Sequence, residues 1–303
     1  MKKFKIGLAL GGGGARGFAH IGVLHILEKN KIIPDFIAGT SIGAIIGAAY
    51  CCGISTVEME KEVDEFIRSD IYKELGVDKM ATTKSQNIFD EFFARFKEKT
   101  VFFLSGLRPA FLEQETIIKM IEFFLPDLNF EDLKIPFACV AVDITRGKEV
   151  VFCKGHIREA VLSSISIPGI MPPVKFEDNI LADGGVIEMV PVKVVKDAGC
   201  DFSIGVNVSA RLPEISENKL KTAFDIAHRT GEISLSVLRE LQIKDADFIL
   251  KPSVQDIKWF ELKKFCECIL AGEIETNSKL IQLKNKIRVQ KYKTLFKRLF
   301  STS

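Results

Sequence analysis

Residues 36–43 read Phe-Ile-Ala-Gly-Thr-Ser-Ile-Gly, a short apolar run that ends in the motif G-x-S-x-G. The run predicts a buried strand over 36–39, and the small residues that follow predict a helix over 42–52. A sharp strand-to-helix turn leaves its serine exposed at the strand tip, where the start of the helix favours negative charge. Ser41 is therefore a candidate nucleophile; the alternative is an ordinary tight turn with a capping serine.

The segments around this turn predict an α/β fold. Residues 5–10 predict a first buried strand and residues 15–29 a first helix, so the chain begins strand–helix–strand–helix. This order implies right-handed crossovers and parallel pairing. Residues 55–130 instead predict successive amphipathic helices. The sequence then predicts further strands over 136–143, 149–153, 179–182 and 202–208, with 247–250 as an additional candidate. From residue 211 the chain is predicted to be mostly helical.

Composition restricts the class of protein. The 303 residues are 47% hydrophobic and 27% charged, which excludes a disordered or fibrous chain. A net charge of +2 gives no case for nucleic-acid binding. Seven scattered cysteines without a C-x-x-C motif suggest reduced thiols in a cytoplasmic protein, with no zinc site. Glycines and polar residues interrupt the longest apolar stretch, 36–54, so no membrane span is expected.

The C-terminal residues 284–303 form a basic tail that contains seven Lys or Arg and no acid. Its apolar residues recur at helical spacing, which is typical of a helix lying on an anionic membrane surface. This pattern predicts a peripheral location on the inner face of the membrane. A C-terminal helix docked on its own protein explains the pattern equally well. The apolar positions are Tyr292, Leu295, Phe296, Leu299 and Phe300.

A glycine-rich segment, residues 11–17, follows the first strand and opens the first helix. Consecutive glycines allow backbone N–H groups to converge on an anion. One interpretation is a dinucleotide site, because the segment contains G-x-G-x-x-G and Asp35 lies about 20 residues further on. That acid should end the second strand, however, whereas Asp35 precedes it. The other interpretation is an oxyanion hole facing Ser41, and it explains both motifs.

A serine nucleophile needs a base, and none of the four histidines follows a late strand. Asp183 does, because residues 179–182 predict a short strand and Asp183-Gly184-Gly185 a turn after it. The glycines would let a carboxylate approach the strand tips. The alternative is that Asp-Gly is only a turn signal.

Five blocks in the same order resemble the bacterial patatin-like phospholipase family, and together they cover about residues 5–209. They include G-G-G-x-R-G, G-T-S-x-G and D-G-G, each at the end of a predicted strand. The blocks are Gly12 to Gly17, Gly39 to Gly43, Asp143 to Gly147, Ser164 to Gly169 with Pro172-Pro173-Val174, and Asp183 to Gly185.

The resemblance implies a three-layer α/β/α fold with a mixed central sheet. It also implies hydrolysis of a lipid or phospholipid ester through an acyl-enzyme, by a dyad of Ser41 as nucleophile and Asp183 as base. Neither a cofactor nor a metal is implied. The oxyanion hole would be formed by the backbone amides of Gly12, Gly13, Gly14 and Ile42. Arg16 and Gly17 would support the loop.

We expect two regions: an acyl hydrolase domain over 5–209, and a helical extension over 210–303 that ends in the basic tail. The domain would include a helical cap over about 55–130. Ten of the 24 phenylalanines lie between 89 and 130. Four of these share one face of a predicted helix that would pack as a cap or line an acyl pocket: Phe89, Phe92, Phe93 and Phe96.

Several alternatives stay open at the level of the sequence. An acyltransferase or thioesterase would use the same acyl-enzyme, and a non-enzymatic nucleotide- or lipid-binding regulator would use only the glycine loop. Arg16 either binds a lipid phosphate or braces the loop by pairing with a carboxylate, and we favour bracing. His20 is expected on a packed helix face. Residues 164–174 are expected to pack under the active site, with Ser164 and Ser166 in turn or helix-cap positions.

Overall fold

The computed structural model describes residues 3–77 and 112–300; the helix predicted around 89–96 lies outside these ranges. The described strands form one mixed sheet in the order β5-β6-β3-β2-β1-β7-β8, with β4 also paired to β3. Their bounds are β1 Ile6–Leu10, β2 Phe36–Thr40, β3 Phe137–Asp143, β4 Lys148–Phe152, β5 Val174–Phe176, β6 Asn179–Asp183, β7 Phe202–Val206 and β8 Phe248–Leu250.

Helices cover both faces of the sheet, which gives the three layers. A 3-10 turn over Gly14–Phe18 leads into the first helix. The helices are α1 Ala19–Lys29, α2 Ile42–Cys52, α3 Thr56–Arg68, α4 Asp70–Leu75, α5 Gln114–Phe124, α6 Ile157–Ile165, α7 Val192–Asp197, α8 Ala223–Ile243 and α9 Phe265–Phe300.

Alternation along the strands divides the apolar residues between two cores. Leu8 and Leu10 of β1 pack into the larger core with α1, α2, α6 and α9. Ala9, between them, faces the smaller core with α7 and the end of α8. Successive side chains of a strand point to opposite faces of the sheet, so Leu8 and Leu10 share one face and Ala9 lies on the other. The small alanine side chains on the second face let α7 lie close to the sheet.

Strand register places the two predicted site residues at one edge of the sheet. β1, β2, β3, β7 and β8 run parallel, so their carboxyl ends share an edge. β6 runs antiparallel to β3. Thr40 pairs with Val140, and Asp183 pairs with Ala141, the next residue of β3. Ser41 and Asp183 therefore end strands on either side of β3 at nearly the same height.

The chain after residue 209 adds to the same sheet. β8 pairs with β7, which confirms the additional strand candidate at 247–250. α9 packs so closely along α1 that a Cβ atom on Gly22 would lie 2.0 Å from the carbonyl oxygen of Ile269. The boundary between 209 and 210 stays a prediction. Among the described helices, none is both long and apolar enough to cross a membrane.

Candidate active site

Ser41 occupies a strained turn between β2 and α2. Its backbone has φ 55° and ψ −125°, a left-handed conformation that residues with a side chain rarely adopt. The turn is possible because its neighbours are small. A Cβ atom on Gly39 would lie 2.3 Å from the carbonyl oxygen of Gly43, and one on Gly43 would lie 2.2 Å from that of Leu10. Glycine at both positions is therefore a requirement of the turn.

The side chains of Ser41 and Asp183 are in direct contact. Ser41 Oγ donates a hydrogen bond to Asp183 Oδ2 at 2.5 Å. The backbone N–H of Gly185 donates to the other carboxylate oxygen at 2.7 Å. Burial raises the pKa of Asp183 to about 6, although both hydrogen bonds favour the charged form. A carboxylate with a raised pKa is a better proton acceptor for a hydroxyl group than an ordinary aspartate.

The glycine-rich loop crosses directly over Ser41. A Cβ atom on Gly12 would lie 3.3 Å from the Cβ atom of Ser41. The N–H of Gly12 itself donates to the carbonyl of Met189 at 2.9 Å, so this amide is not available to an oxyanion. Within the described part of the chain, no acceptor takes the amides of Gly13, Gly14 or Ile42. These three remain as candidate oxyanion donors.

Two buried side chains hold the glycine loop from below. His20 Nε2 lies 2.7 Å from the carbonyl oxygen of Gly11. Burial lowers the pKa of His20 to about 4, so the ring is neutral and Nε2–H is assigned as the donor. Arg16 donates to the carbonyl of Ile257 at 3.1 Å. The expected carboxylate partner of Arg16 is absent from the described residues, and the guanidinium instead ties the loop to a backbone carbonyl.

The end of α6 is hydrogen-bonded to both site residues, which goes beyond the expected packing of residues 164–174 under the active site. Ser164 Oγ accepts a hydrogen bond from the backbone N–H of Ser41 at 3.1 Å. The carbonyl of Ser166 accepts the N–H of Asp183 at 2.9 Å. Ser166 is the C-cap residue of α6, as expected, whereas Ser164 lies inside the helix rather than in a turn or cap. The available sequence signal was the block Ser164 to Gly169, which belongs to the family resemblance and marks the segment but not the contact with Ser41.

We expect Ser164→Ala to lower kcat by about 10- to 100-fold with KM unchanged, because it removes the acceptor that fixes the backbone of Ser41. Ser163→Ala is the matched control. Ser163 is also fully buried, but its hydroxyl donates only to the carbonyl of Glu159 in its own helix. Steady-state kinetics on a soluble ester would measure both variants. Equal kcat values for the two would mean that Ser164 does not position Ser41.

The position of Asp35 contradicts the dinucleotide interpretation. Its carboxylate accepts the N–H of Ile6 at 2.9 Å and pairs with Lys3 at 2.6 Å. Both contacts lie at the amino end of β1, whereas the glycine-rich loop lies at the carboxyl end. Asp35 therefore fixes the start of the sheet and is too remote to bind a ribose beside the loop.

An apolar cavity of about 100 Å³ opens beside Ser41. Its walls come from α2, from α4 and α5, from the segment after α6, and from the loop before α9. Apart from Ser41 and the indole of Trp259, the lining side chains are aliphatic, aromatic or thioether groups. They are Ile42, Ile45, Leu75, Val77, Leu112, Met120, Ile165, Ile167, Met171, Trp259, Phe260 and Leu262, and Gly14 also lines the cavity.

Residues 8–196 match the family model of patatin-like phospholipases, and the chain belongs to this family. The matched range includes Ser41, the glycine-rich loop and Asp183. An uncharacterised NTE family protein of Mycobacterium bovis is 29% identical over 205 residues, which are 68% of this chain and 49% of that protein. Lysophospholipase Nte1 of Aspergillus fumigatus is 29% identical over 233 residues, which are 76% of this chain and 14% of that protein.

The chain spans about half the length, or less, of these curated relatives. A solved structure, VipD from Legionella pneumophila, aligns with a TM-score of 0.49 and 15% identity over 92% of this chain and 67% of VipD.

Proposed function

We propose that this protein is a serine acyl hydrolase that cleaves carboxyl esters of lipids through a dyad of Ser41 and Asp183. The hydrogen bond of 2.5 Å between Ser41 Oγ and the Asp183 carboxylate carries this proposal. The free amides of the glycine-rich loop and the apolar cavity at Ser41 support it. The fungal relatives bear the name lysophospholipase, which favours a phospholipid or lysophospholipid as substrate.

In the proposed first step, Asp183 takes the proton of Ser41 as Oγ attacks the ester carbonyl. The carbonyl oxygen becomes negative and receives hydrogen bonds from the amides of Gly13, Gly14 and Ile42. Asp183 then gives its proton to the leaving alcohol, and the acyl group stays on Ser41. In the second step, Asp183 takes a proton from water as the water attacks the acyl-enzyme, and it returns this proton to Ser41 Oγ when the bond to the acyl group breaks and the fatty acid leaves.

The cavity suits the acyl chain better than the head group, because its lining offers almost no polar partner. A polar head group would then lie outside, at the carboxyl edge of the sheet. A thioesterase or acyltransferase would share the acyl-enzyme and differ only in the group that carries the acyl chain or receives it. Hydrolysis is the simplest outcome, since water needs no second binding site.

Hydrolysis of p-nitrophenyl butyrate and laurate tests the proposal, with wild type compared to Met120→Trp. Met120 lines the cavity from α5. We expect wild type to cleave both esters. The larger side chain should lower kcat/KM for laurate at least about tenfold and change butyrate by less than about threefold, because it fills space needed only by the longer chain.

Met120→Leu is the control, since it nearly conserves volume. Wild type that cleaves neither ester would contradict the proposed function. An equal loss on both esters would show that the cavity does not hold the acyl chain.

A further inference from the structure

We propose that the outer face of α8 is the surface by which this protein contacts a lipid layer, beside the edge of the sheet that carries Ser41. The α8 face consists of Ile226, Ile233, Val237, Leu238 and Leu241. The inference rests on the proposed function, because it concerns how that site reaches a lipid substrate.

α8 is an amphipathic helix whose apolar side faces outward. The exposed fractions of Ile226, Val237 and Leu241 are 52%, 53% and 56%. With Ile233, which is 43% exposed, they recur at a spacing of seven and four residues and so form one stripe. A helix of a globular protein normally turns such a stripe toward the core. In the part of the chain that the structure describes, this stripe is instead exposed.

The inward side of α8 is correspondingly polar. Arg229 pairs with Glu232 at 3.2 Å and donates to the carbonyl of Pro213 at 2.7 Å. Gln242 donates to the carbonyl of Ile187 at 2.6 Å. The hydrogen bonds to Pro213 and Ile187 fix the rotation of the helix about its axis, whereas the Arg229–Glu232 pair lies within the helix. The apolar stripe therefore cannot turn inward without breaking them.

α8 extends beyond the sheet on the side of Ser41. Its last residue, Ile243, lies against Gly205, one residue before the end of β7. The helix runs antiparallel to β7, because it connects β7 to the parallel strand β8. Its 21 residues span roughly 30 Å, whereas the five residues of β7 span roughly 17 Å. Most of the α8 face therefore projects past the carboxyl edge of the sheet.

Size and charge favour a lipid layer over a folded partner. Five partly exposed aliphatic side chains present a few hundred Å², the range that marks contact sites. That is less than the ~800 Å² that each partner of a stable protein complex buries. Between residues 226 and 241 the only exposed charged residue is Glu240. An almost uncharged apolar stripe matches the acyl boundary of a zwitterionic layer, where amphipathic helices lie.

The basic tail lies on the other side of the protein. Arg298 pairs with Asp201 at 2.6 Å, and the backbone N–H of Lys5 donates to the same carboxylate. Asp201 and Lys5 precede β7 and β1, so this end of α9 sits at the amino edge of the sheet. A membrane bound by the tail would face away from Ser41. The α8 face, in contrast, lies on the side where an ester would react.

The test is co-sedimentation with phosphatidylcholine vesicles, in a Ser41→Ala background that prevents hydrolysis. The variant is the double substitution Ile233→Gln and Val237→Gln. Ile281→Gln is the matched control, because Ile281 is an aliphatic residue of α9 with 77% exposure. We expect the double variant to reduce the vesicle partition coefficient at least about tenfold, and the control to change it less than twofold.

Unchanged vesicle binding in the double variant, or no binding by the parent protein, would overturn the proposal. The proposal would also be overturned if the parent protein were a dimer, the double variant were a monomer and both bound vesicles equally. The α8 face would then be the contact with a second copy of the chain. Adding phosphatidylglycerol to the vesicles should raise the partition coefficients of parent and double variant by the same factor, through the basic tail. Equal partition coefficients of the two proteins on these vesicles would also contradict the α8 proposal.

The same double substitution with Ser41 intact separates this proposal from the proposed function. We expect it to hydrolyse soluble p-nitrophenyl butyrate at the wild-type rate. Absence of butyrate hydrolysis in wild type would contradict the hydrolase function, whatever the vesicles show. Normal hydrolysis with unchanged vesicle binding would contradict the α8 proposal alone.

Discussion

Ser41→Ala is expected to lower kcat for ester hydrolysis by at least about 10³-fold, because it removes the proposed nucleophile of the acyl-enzyme. Hydrolysis of p-nitrophenyl butyrate measures the effect. Ser278→Ala is a suitable control, since that hydroxyl is on α9 and donates only to the carbonyl of Glu275. A Ser41→Ala variant with more than a tenth of wild-type activity would exclude Ser41 as nucleophile.

Ser41→Gly should be equally inactive but more stable than Ser41→Ala. Both variants lose the hydrogen bond between Ser41 and Asp183, and this shared loss cancels when their stabilities are compared. Only glycine also removes the Cβ atom from a backbone with φ 55°, which costs about 1–3 kcal/mol for other residues. Denaturant unfolding should therefore give the glycine variant about 1 kcal/mol more free energy of unfolding than the alanine variant. Identical midpoints would show that the turn is unstrained.

Asp183→Asn is expected to lower kcat by at least about 10³-fold and, at the same time, to stabilise the folded protein near pH 8. The amide keeps the shape of the carboxylate but cannot accept the proton of Ser41. Burial raises the pKa of Asp183 from its ordinary value of 3.8 to about 6. The native state therefore binds a proton more tightly than the unfolded state, and stability falls as the pH rises from about 4 to about 6.

Asparagine carries no charge and avoids this loss. The free energy of unfolding of Asp183→Asn should equal that of wild type at pH 4 and exceed it by at most about 3 kcal/mol above pH 7, measured by denaturant unfolding at each pH. Wild-type kcat/KM should rise with pH to a plateau, with a midpoint near 6, because the ionised carboxylate is the active form. A midpoint near 4 would contradict the raised pKa, and a variant that retains most activity would place the base elsewhere.

Ser41 and Asp183 could be chosen as candidates from the sequence because each lies at the end of a predicted strand and close to glycines, which are local signals. The order of elements predicted the parallel pairing, and the family resemblance implied the mixed sheet, although the short strand β5, Val174–Phe176, carried too little pattern to be predicted. The contact between Ser164 and Ser41 joins residues 123 positions apart and depends on how α6 packs. No local pattern encodes such a contact.

Two further features could not be predicted for related reasons. The amide of Gly12 was expected to face an oxyanion, but the fold brings the Met189 carbonyl to it first. Helical periodicity identified apolar stripes but not their direction. The stripe of α8 points outward because Arg229 and Gln242 find partners on the inner side. Direction is a tertiary property that a single segment does not contain.

The attachment of both site residues to the end of α6 has a consequence for how this enzyme family diversifies. Ser164 holds the amide of Ser41, and Ser166 holds that of Asp183, so one short segment sets the spacing of the pair. Much of the cavity wall comes from other segments, namely α4, α5 and residues 259–262. Under the proposed function, substitutions in those segments would change which ester fits while the Ser41–Asp183 pair kept its geometry. The proposed substrate range and the proposed chemistry therefore depend on different parts of the fold.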